Sequence, residues 1–330
     1  MTSSQHEIFQ NQLAAYADAA FDLPAMASWP ATRHHFESEH ILALRAAQAS
    51  GRPLLLRGEP GTGKSQLAHA AAFASQRAFL PVVVDAQAQA QDLHWKFDAV
   101  ARLADAQMAA ILQQGADACA GNLALRHYIQ PGPLWWALNW HSAQQQQEKL
   151  RHIENMAPET PDKWRREQGC VLLIDEIDKA EPDFPNGLLE VFANRAFKVP
   201  LLGDTVRQDP QQAAPLIIIT TNEERELPAA FVRRCLSLTL RLPSQEAALQ
   251  NWLVTRGQWH YPQQREEVLH ECAQMLIQDR RAAAEYKPGL AEYLDLLRTL
   301  DQLGEAALAQ LPALKRFYFD KQPDLQAGDA

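Results

Sequence analysis

Residues 54–68 read LLLRGEPGTGKSQLA, an apolar run followed by a glycine-rich turn and then by the start of a helical pattern. Residues 58–65 fit GxxxxGK[ST] throughout, a pattern in which backbone N–H groups turn inward around phosphate oxygens. Lys64 can reach the β and γ phosphates of a nucleotide, and the Ser65 hydroxyl can ligate Mg²⁺. The predicted phosphate loop comprises Gly58, Glu59, Pro60, Gly61, Thr62, Gly63, Lys64 and Ser65, with Gln66 beside it.

Short apolar runs alternate with helical stretches around this loop. Continuous apolar runs separated by helices indicate a parallel sheet that is covered on both faces. The predicted fold class is therefore α/β, with helices on both faces of a parallel sheet. The predicted strands cover residues 53–57, 79–84, 171–175, 216–221 and 236–242.

The alternation divides the chain into three units. Residues 1–45 show helical spacing and are predicted to be a helical lead-in, followed by the α/β core at residues 46–243. After Pro243 the strand signals stop, so residues 244–330 are predicted to form a small all-helical domain. The second and third strands are too far apart for one crossover helix, and an insertion is expected at about residues 120–170.

Two carboxylates follow the apolar run at residues 171–174. Asp175 and Glu176 are expected at the carboxyl end of a buried strand, where ligands bind in open α/β sheets. Adjacent residues on a strand point to opposite sides, so the pair divides into two roles. Asp175 is expected to hold the Mg²⁺ shell, and Glu176 to orient and deprotonate an attacking water.

Polar residues also follow or precede the last two strands. Asn222 directly follows the run at residues 216–221, and its amide could bind the attacking water or the phosphate. An asparagine at the end of a strand is, however, often only a turn residue. Arg233 and Arg234 precede the last strand and cannot easily reach the nucleotide of their own subunit. They could stabilise transition-state charge on a neighbouring subunit, or form only a solvated basic pair.

Composition excludes some classes of function. The net charge of −9 and the lack of a basic run argue against direct contact with nucleic acid or an anionic membrane. Four scattered cysteines without a CxxC pair are typical of single thiols in a reducing compartment. No apolar run is long enough to cross a bilayer, and the amino terminus lacks the pattern of a leader. We therefore expect a cytoplasmic protein.

The tryptophans and histidines favour structural roles. Trp136 and Trp140 stand four residues apart, on a common side of a predicted helix. They are predicted to pack the insertion onto the core rather than to grip a partner. His34, His35 and His40 have no acidic or cysteine partner at ligand spacing and are predicted to be surface residues rather than metal ligands.

Together these motifs resemble the AAA+ ATPases, and in detail the MoxR-like branch. The similar segments are GEPGTGKS, LLIDEIDKAEPDFPNGLLEVF and IIITTNEERELPAAFVRRC, which correspond to Walker A, Walker B and the region from sensor 1 to the arginine finger. GPLWWAL is similar to an element that these proteins carry before Walker B. The resemblance covers about residues 35–243, and the carboxyl-terminal domain resembles the AAA+ lid.

The resemblance implies an ATPase that binds ATP and Mg²⁺ at a subunit boundary, in a homo-oligomer that is usually a hexameric ring. It also implies chaperone-like remodelling, commonly with a partner that contains a von Willebrand factor A domain. The implied roles are phosphate and Mg²⁺ binding for Lys64 and Ser65, catalysis for Asp175 and Glu176, sensor 1 for Asn222, and the arginine finger for Arg233 or Arg234. The sequence does not decide between the two arginines, although Arg234 is slightly favoured.

Two features of the sequence depart from the pattern of the MoxR-like family. Lys287 stands where a sensor-2 arginine is expected, although a lysine is a point charge rather than a planar fork. The insertion at residues 141–170 suggests a specialised subgroup.

The alternative function is that of a motor in a restriction or defence complex, which contacts nucleic acid through a partner. A phosphotransferase would share the loop but would need neither Asn222 nor the paired arginines.

Overall fold

The protein is built around a parallel β-sheet, as a computed structural model shows. The structure describes residues 9, 11–17, 20–26, 29–112, 121–151, 157–283, 287–304 and 308–319. The strands are β1 (Ala20–Leu23), β2 (Thr32–His35), β3 (Leu54–Arg57), β4 (Ala78–Val83), β5 (Trp95–Phe97), β6 (Ile129–Pro131), β7 (Cys170–Asp175), β8 (Ala196–Val199), β9 (Asp204–Arg207), β10 (Leu216–Thr221) and β11 (Leu236–Thr239).

The helices connect and cover these strands. They are α1 (Ser38–Ser50), α2 (Lys64–Ala74), α3 (Ala90–His94), α4 (Ala99–Ile111), α5 (Pro133–Leu138), α6 (Trp140–Gln147), α7 (Asp183–Gly187), α8 (Leu189–Asn194), α9 (Ala229–Val232), α10 (Glu246–His260), α11 (Glu266–Ala282), α12 (Leu290–Leu303) and α13 (Leu311–Phe319). Short 3₁₀ helices cover Leu125–Tyr128, Arg166–Gln168, Ile177–Lys179 and Pro200–Leu202.

The central sheet has the strand order β11-β3-β10-β7-β4 within the described residues, and all of its neighbouring strands are parallel. Each apolar run that was predicted to be a strand is a strand of this sheet. The register places Ile174 beside Ile219 and Ile219 beside Leu55. The α/β prediction is therefore confirmed.

Side chains of the sheet alternate between two apolar clusters. In β7, Leu172 and Ile174 belong to the cluster that includes the tryptophans of α5 and α6. Val171 and Leu173 belong to the other cluster, which includes Leu67 and the alanines of α2. The sheet is thus buried on both faces, as a parallel sheet requires.

The amino-terminal lead-in is only partly helical, which corrects the prediction for residues 1–45. β1 and β2 pair antiparallel, with Phe21 opposite His34. The Phe21 ring stacks on Phe73 of α2 at a centroid distance of 6.0 Å and lies 5.5 Å from Phe36. This aromatic packing outweighs the helical spacing of the sequence, because strand preference depends mainly on packing context. Helix α1 crosses the predicted boundary at residue 45.

The insertion between β4 and β7 packs onto the core. Trp135, Trp136 and Trp140 are only 4%, 4% and 6% exposed. Trp136 meets Trp140 at a centroid distance of 5.1 Å, and Trp140 meets Trp164 at 4.5 Å. Asn139 divides the predicted helix into α5 and α6, and its side chain caps α6. The prediction that the tryptophans pack this segment onto the core is confirmed.

The described cysteines are buried and free. They are Cys170, Cys235 and Cys272, whereas Cys119 lies outside the described residues. Burial raises the pKa of each described thiol to about 12. These thiols therefore carry little thiolate at neutral pH and are poor nucleophiles.

Among the described residues after the sheet, the elements of secondary structure are all helices. Helices α10 to α13 share a third apolar cluster, with Leu253, Leu269, Cys272, Tyr293 and Leu297 among its buried members. This agrees with the all-helical prediction for the residues that follow the sheet. Among the described residues, no helix is both long enough and apolar enough to cross a membrane.

Candidate active site

The glycine-rich motif forms a tight loop between β3 and α2. Gly58 has φ 140° and Gly63 has φ 90°, in the region that favours glycine. A Cβ atom on Gly58 would lie 2.4 Å from the carbonyl oxygen of Leu240. Helix α2 begins at Lys64, directly after the second of these glycines. The loop therefore needs both glycines, one for its backbone conformation and one also for its close approach to β11.

Lys64 lies inside this loop and is only 6% exposed. Its Nζ donates hydrogen bonds to the carbonyl oxygens of Gly58 at 2.8 Å and Glu59 at 2.9 Å. Burial lowers the pKa of Lys64, and the carboxylates of Asp175 and Asp178 oppose that shift. A phosphate that enters the loop must compete with two carbonyl oxygens for this ammonium group.

Ser65 and Asp175 meet where the loop approaches the sheet. The Ser65 hydroxyl donates a hydrogen bond of 2.7 Å to Asp175 Oδ1. Thr220 Oγ1 on β10 donates to the same oxygen at 2.5 Å and accepts the backbone N–H of Glu176 at 2.8 Å. Thr220, which the sequence analysis did not single out, thus joins the two carboxylate residues to the neighbouring strand.

Glu176 and Asn222 lie side by side at the carboxyl edge of the sheet. Asn222 Nδ2 donates to Glu176 Oε1 at 3.2 Å, and Lys179 Nζ donates to Glu176 Oε2 at 2.7 Å. This contact raises the pKa of Lys179, mainly through the hydrogen bond. Glu176 has φ 59°, so the chain turns sharply after β7 and directs this side chain away from the strand axis.

Asp178 anchors the segment that follows β10. It is only 2% exposed, and its carboxylate accepts the backbone N–H groups of Asn222 at 3.2 Å and Glu224 at 2.9 Å. Sequence reasoning missed this residue, although a third carboxylate shortly after Asp175 and Glu176 is a visible signal. Asp178 fixes the backbone that carries the Asn222 amide.

One cavity of about 430 Å³ is lined by Lys64, Ser65, Asp175, Glu176, Thr220 and Asn222. Its sides come from the phosphate loop, from the carboxyl edge of the sheet and from α12. The sequence-predicted members of the lining are Pro60, Gly61, Gly63, Lys64, Ser65, Gln66, Asp175, Glu176 and Asn222. Gly58, Glu59 and Thr62 do not line this cavity. The carbonyl oxygens of Gly58 and Glu59 accept hydrogen bonds from the Lys64 ammonium, and Thr62 lines an adjoining cavity.

The helical domain contributes Arg298, rather than Lys287, to the cavity lining. Lys287 is exposed, and Arg298 lies 3.3 Å from Asp295 on α12. Ala291, Leu294 and Arg298 share one face of this helix, where helical spacing brings such residues together. That spacing groups the three residues, whereas the packing of α12 against the phosphate loop, which brings Arg298 to the cavity, has no signal in the sequence.

A second cavity of about 470 Å³ adjoins the first at Gly63 and Gln66. His34, His35 and His40 line it, which corrects the prediction that they are surface histidines. They are covered because β2 packs against α10, and because Glu37, directly before α1, pairs with Arg256 of α10. Ligand spacing does not reveal these long-range contacts.

Packing around these histidines is mainly aromatic. His34 meets Phe36 at a centroid distance of 4.8 Å, and His35 stacks on Trp259 of α10 at 4.3 Å. Burial lowers the pKa of both His34 and His40, so these two rings are neutral at pH 7. The second cavity therefore presents neutral imidazoles and aromatic faces beside the loop.

Two ion pairs join the helical domain to this region. Arg280 Nη2 lies 2.7 Å from Glu59 Oε2 in the phosphate loop. Arg256 Nη2 lies 2.6 Å from Glu37 Oε1 in the lead-in. Both cations are well buried, with 14% and 13% of their side chains exposed. The helical domain thus contacts both sides of the two cavities.

Arg233 and Arg234 line neither cavity. Arg234 Nη1 donates to the Ala230 carbonyl oxygen at 3.1 Å. The Arg233 side chain is exposed and forms no hydrogen bond or ion pair with the residues that the structure describes. The guanidinium of Arg52 bonds to the backbone carbonyl groups of both arginines and of Cys235. The two side chains therefore extend from a turn that Arg52 stabilises, outside the cavity of their own subunit.

The segment that builds this site matches the family model of the AAA domain, dynein-related subfamily, over residues 53–235. The chain belongs to this AAA family. The AAA match includes the phosphate loop, Asp175, Glu176 and Asn222, and it stops just after the paired arginines. Membership of the AAA family implies nucleotide binding, whereas the role of each site residue stays a prediction.

Many solved structures match this chain. A solved structure of a candidate ATPase from Cytophaga hutchinsonii is similar to this AAA protein at 13% sequence identity and a TM-score of 0.40. The alignment covers 91% of this chain and 81% of the other. No curated protein matches the sequence.

Proposed function

We propose that this AAA protein hydrolyses ATP to ADP and phosphate. The observation that carries the proposal is the Glu176 carboxylate, held by Asn222 on one oxygen and by Lys179 on the other. A carboxylate fixed in this way beside a phosphate loop can orient a water and accept its proton. Lys64 lines the same cavity and can stabilise the charge of the transferred phosphoryl group.

The residues present also fit a Mg²⁺ ion. Mg²⁺ takes oxygen ligands, and the Ser65 hydroxyl and the Asp175 carboxylate meet at 2.7 Å beside the loop. Thr220 holds the same carboxylate oxygen from the neighbouring strand. Ser65 and Asp175 would hold the ion, which would neutralise charge on the phosphate oxygens.

Nucleotide binding would exchange contacts within the chain for contacts with phosphate. Lys64 would leave the carbonyl oxygens of Gly58 and Glu59, and Ser65 would leave Asp175. Asn222 keeps its backbone fixed by Asp178 during this exchange, so its amide can hold Glu176 or the water that Glu176 activates. Binding and hydrolysis are thereby coupled to a small set of hydrogen bonds.

The active form is proposed to be a homo-oligomeric ring, with six subunits as in the family that the motifs resemble. Neither Arg233 nor Arg234 lines its own cavity, and the exposed Arg233 is free to approach another subunit. One of them would act as an arginine finger and stabilise transition-state charge in trans.

The work driven by hydrolysis is proposed to be the remodelling of a protein partner in the cytoplasm, as in MoxR-like proteins. The resemblance of the three motif segments and of GPLWWAL supports this, and it favours a partner with a von Willebrand factor A domain. A net charge of −9 agrees with a protein partner rather than direct binding to nucleic acid.

The test is the substitution Glu176→Gln, which keeps the shape of the side chain and removes the base. We expect it to retain ATP binding while the turnover number falls at least about 100-fold. Phosphate release measures turnover, and equilibrium titration with a fluorescent ATP analogue measures binding. Glu181→Gln is the matched control, because Glu181 is exposed and forms only a surface pair with Arg225.

The same variant traps the loaded state for partner capture. Recovery of a protein with a von Willebrand factor A domain supports the remodelling proposal. Stimulation of turnover by DNA, with a strong salt dependence, favours the restriction or defence alternative instead. Unchanged turnover in Glu176→Gln would contradict the assignment of the catalytic base.

A further inference from the structure

A third cavity, of about 330 Å³, lies at the amino-terminal edge of the sheet. Arg77, Gln168 and Ala213 line it, and they precede β4, β7 and β10 respectively. Because these strands are parallel, the three positions share one edge. Asp175 and Asn222 mark the other edge. The cavity is therefore separate from the nucleotide site.

Arg77 is buried here without a carboxylate partner among the described residues. It is 3% exposed, and its Nη1 donates to Gln48 Oε1 at 2.8 Å and to the Ala214 carbonyl oxygen at 3.3 Å. Both acceptors are neutral. Burial lowers the pKa of Arg77 to about 10, which leaves the side chain cationic at neutral pH. An unpaired buried charge is costly, so an anion in this cavity would stabilise the protein.

The remaining lining suits an anion with a small body. Arg165 lines the same cavity as a second, exposed cation. The acidic residue of the lining, Glu167, is already paired with Arg166 at 3.3 Å. The Phe9 ring covers the Arg77 guanidinium at 4.6 Å and provides an apolar face. Positive charge thus exceeds unpaired negative charge within the described lining.

We propose that this cavity binds a small oxyanion, a carboxylate or a phosphate, between Arg77 and Arg165. Guanidinium groups are planar forks that hold both kinds of oxyanion through paired hydrogen bonds. The volume of about 330 Å³ admits a ligand of several heavy atoms. The site uses no residue of the phosphate loop, so it does not depend on the proposed ATPase activity.

Thermal unfolding of the full chain tests the proposal, in a Lys64→Ala background that weakens phosphate binding at the loop. Inorganic phosphate and succinate are titrated at constant ionic strength, with chloride as the reference. Saturation at 100 times the dissociation constant should raise Tm by about 4 °C. A response to phosphate alone identifies a phosphate ligand, and a response to succinate alone identifies a carboxylate.

Variants locate the effect. Arg165→Gln should raise the dissociation constant at least about tenfold, because a charged hydrogen bond is lost. Lys163→Gln is the matched control, since Lys163 is a nearby exposed cation that does not line the cavity. Arg165 carries the test because it is exposed and its substitution leaves the core intact, unlike that of Arg77. No Tm shift with either anion, or an unchanged dissociation constant in Arg165→Gln, would overturn the proposal.

Discussion

At the scale of single residues, Asp178 positions the group that contacts the proposed base. Its buried carboxylate holds two backbone N–H groups, and one of them belongs to Asn222. We expect Asp178→Ala to lower kcat about 100-fold through misplacement of the Asn222 amide, with little change in the KM for ATP. Steady-state kinetics measure both constants. Asp183→Ala, at an exposed position on α7, is the control, and an unchanged kcat in Asp178→Ala would refute the positioning role.

The residues of the loop and of β7 could be predicted because they are close in sequence to the strands that carry them. Lys64 and Ser65 follow β3, Asp175 ends β7, and the parallel sheet then brings them to one cavity. Arg298 could not be placed in the same way, because its position depends on how α12 packs against the loop. Local sequence patterns therefore predict the side of the cavity that the phosphate loop and the sheet form, but not the side that α12 forms.

At the scale of elements, α10 is tied to the lead-in by the pair between Arg256, which is 13% exposed, and Glu37, which is 44% exposed. We expect Arg256→Met to lower the free energy of unfolding by about 2 kcal/mol, because it removes a charged hydrogen bond to Glu37 and the contact of the guanidinium with the Trp252 ring. Urea denaturation measures the change. Arg225→Met is the control, since its pair with Glu181 is exposed and should contribute less than about 1 kcal/mol. Equal effects of the two substitutions would show that the pair between Arg256 and Glu37 contributes no more than an exposed ion pair.

The strands of the sheet were predictable from continuous apolar runs, whereas β1 and β2 were not. Each of these two has only four residues, and their aromatic side chains meet α2 and α10 rather than each other alone. Such contacts are far apart in sequence, so no local pattern records them. The burial of His34 and His35 follows from the same packing.

At the scale of the whole molecule, a shared site predicts complementation between two inactive variants. Lys64→Ala subunits are expected to lose ATPase activity through weakened phosphate binding at the loop, but they carry intact arginines. Arg233→Ala/Arg234→Ala subunits are expected to have the reverse defect. A mixture should regain a substantial part of the ATPase activity that each variant lacks alone, because some interfaces then combine two intact halves. Phosphate release against mixing ratio measures the recovery. No recovery in a mixture shown to co-assemble would exclude a finger in trans.

Arg52, just before β3, grips the carbonyl groups of Arg233, Arg234 and Cys235, while the phosphate loop begins directly after the same strand. β3 spans roughly 13 Å and joins Arg52 to the phosphate loop. A movement of the loop on phosphate binding would be transmitted through β3, and then through the hydrogen bonds of Arg52, to the turn that carries Arg233 and Arg234. In the proposed ring, β3 would link phosphate binding in one subunit to the arginines that face the next subunit, so that the effect would pass around the ring in one direction.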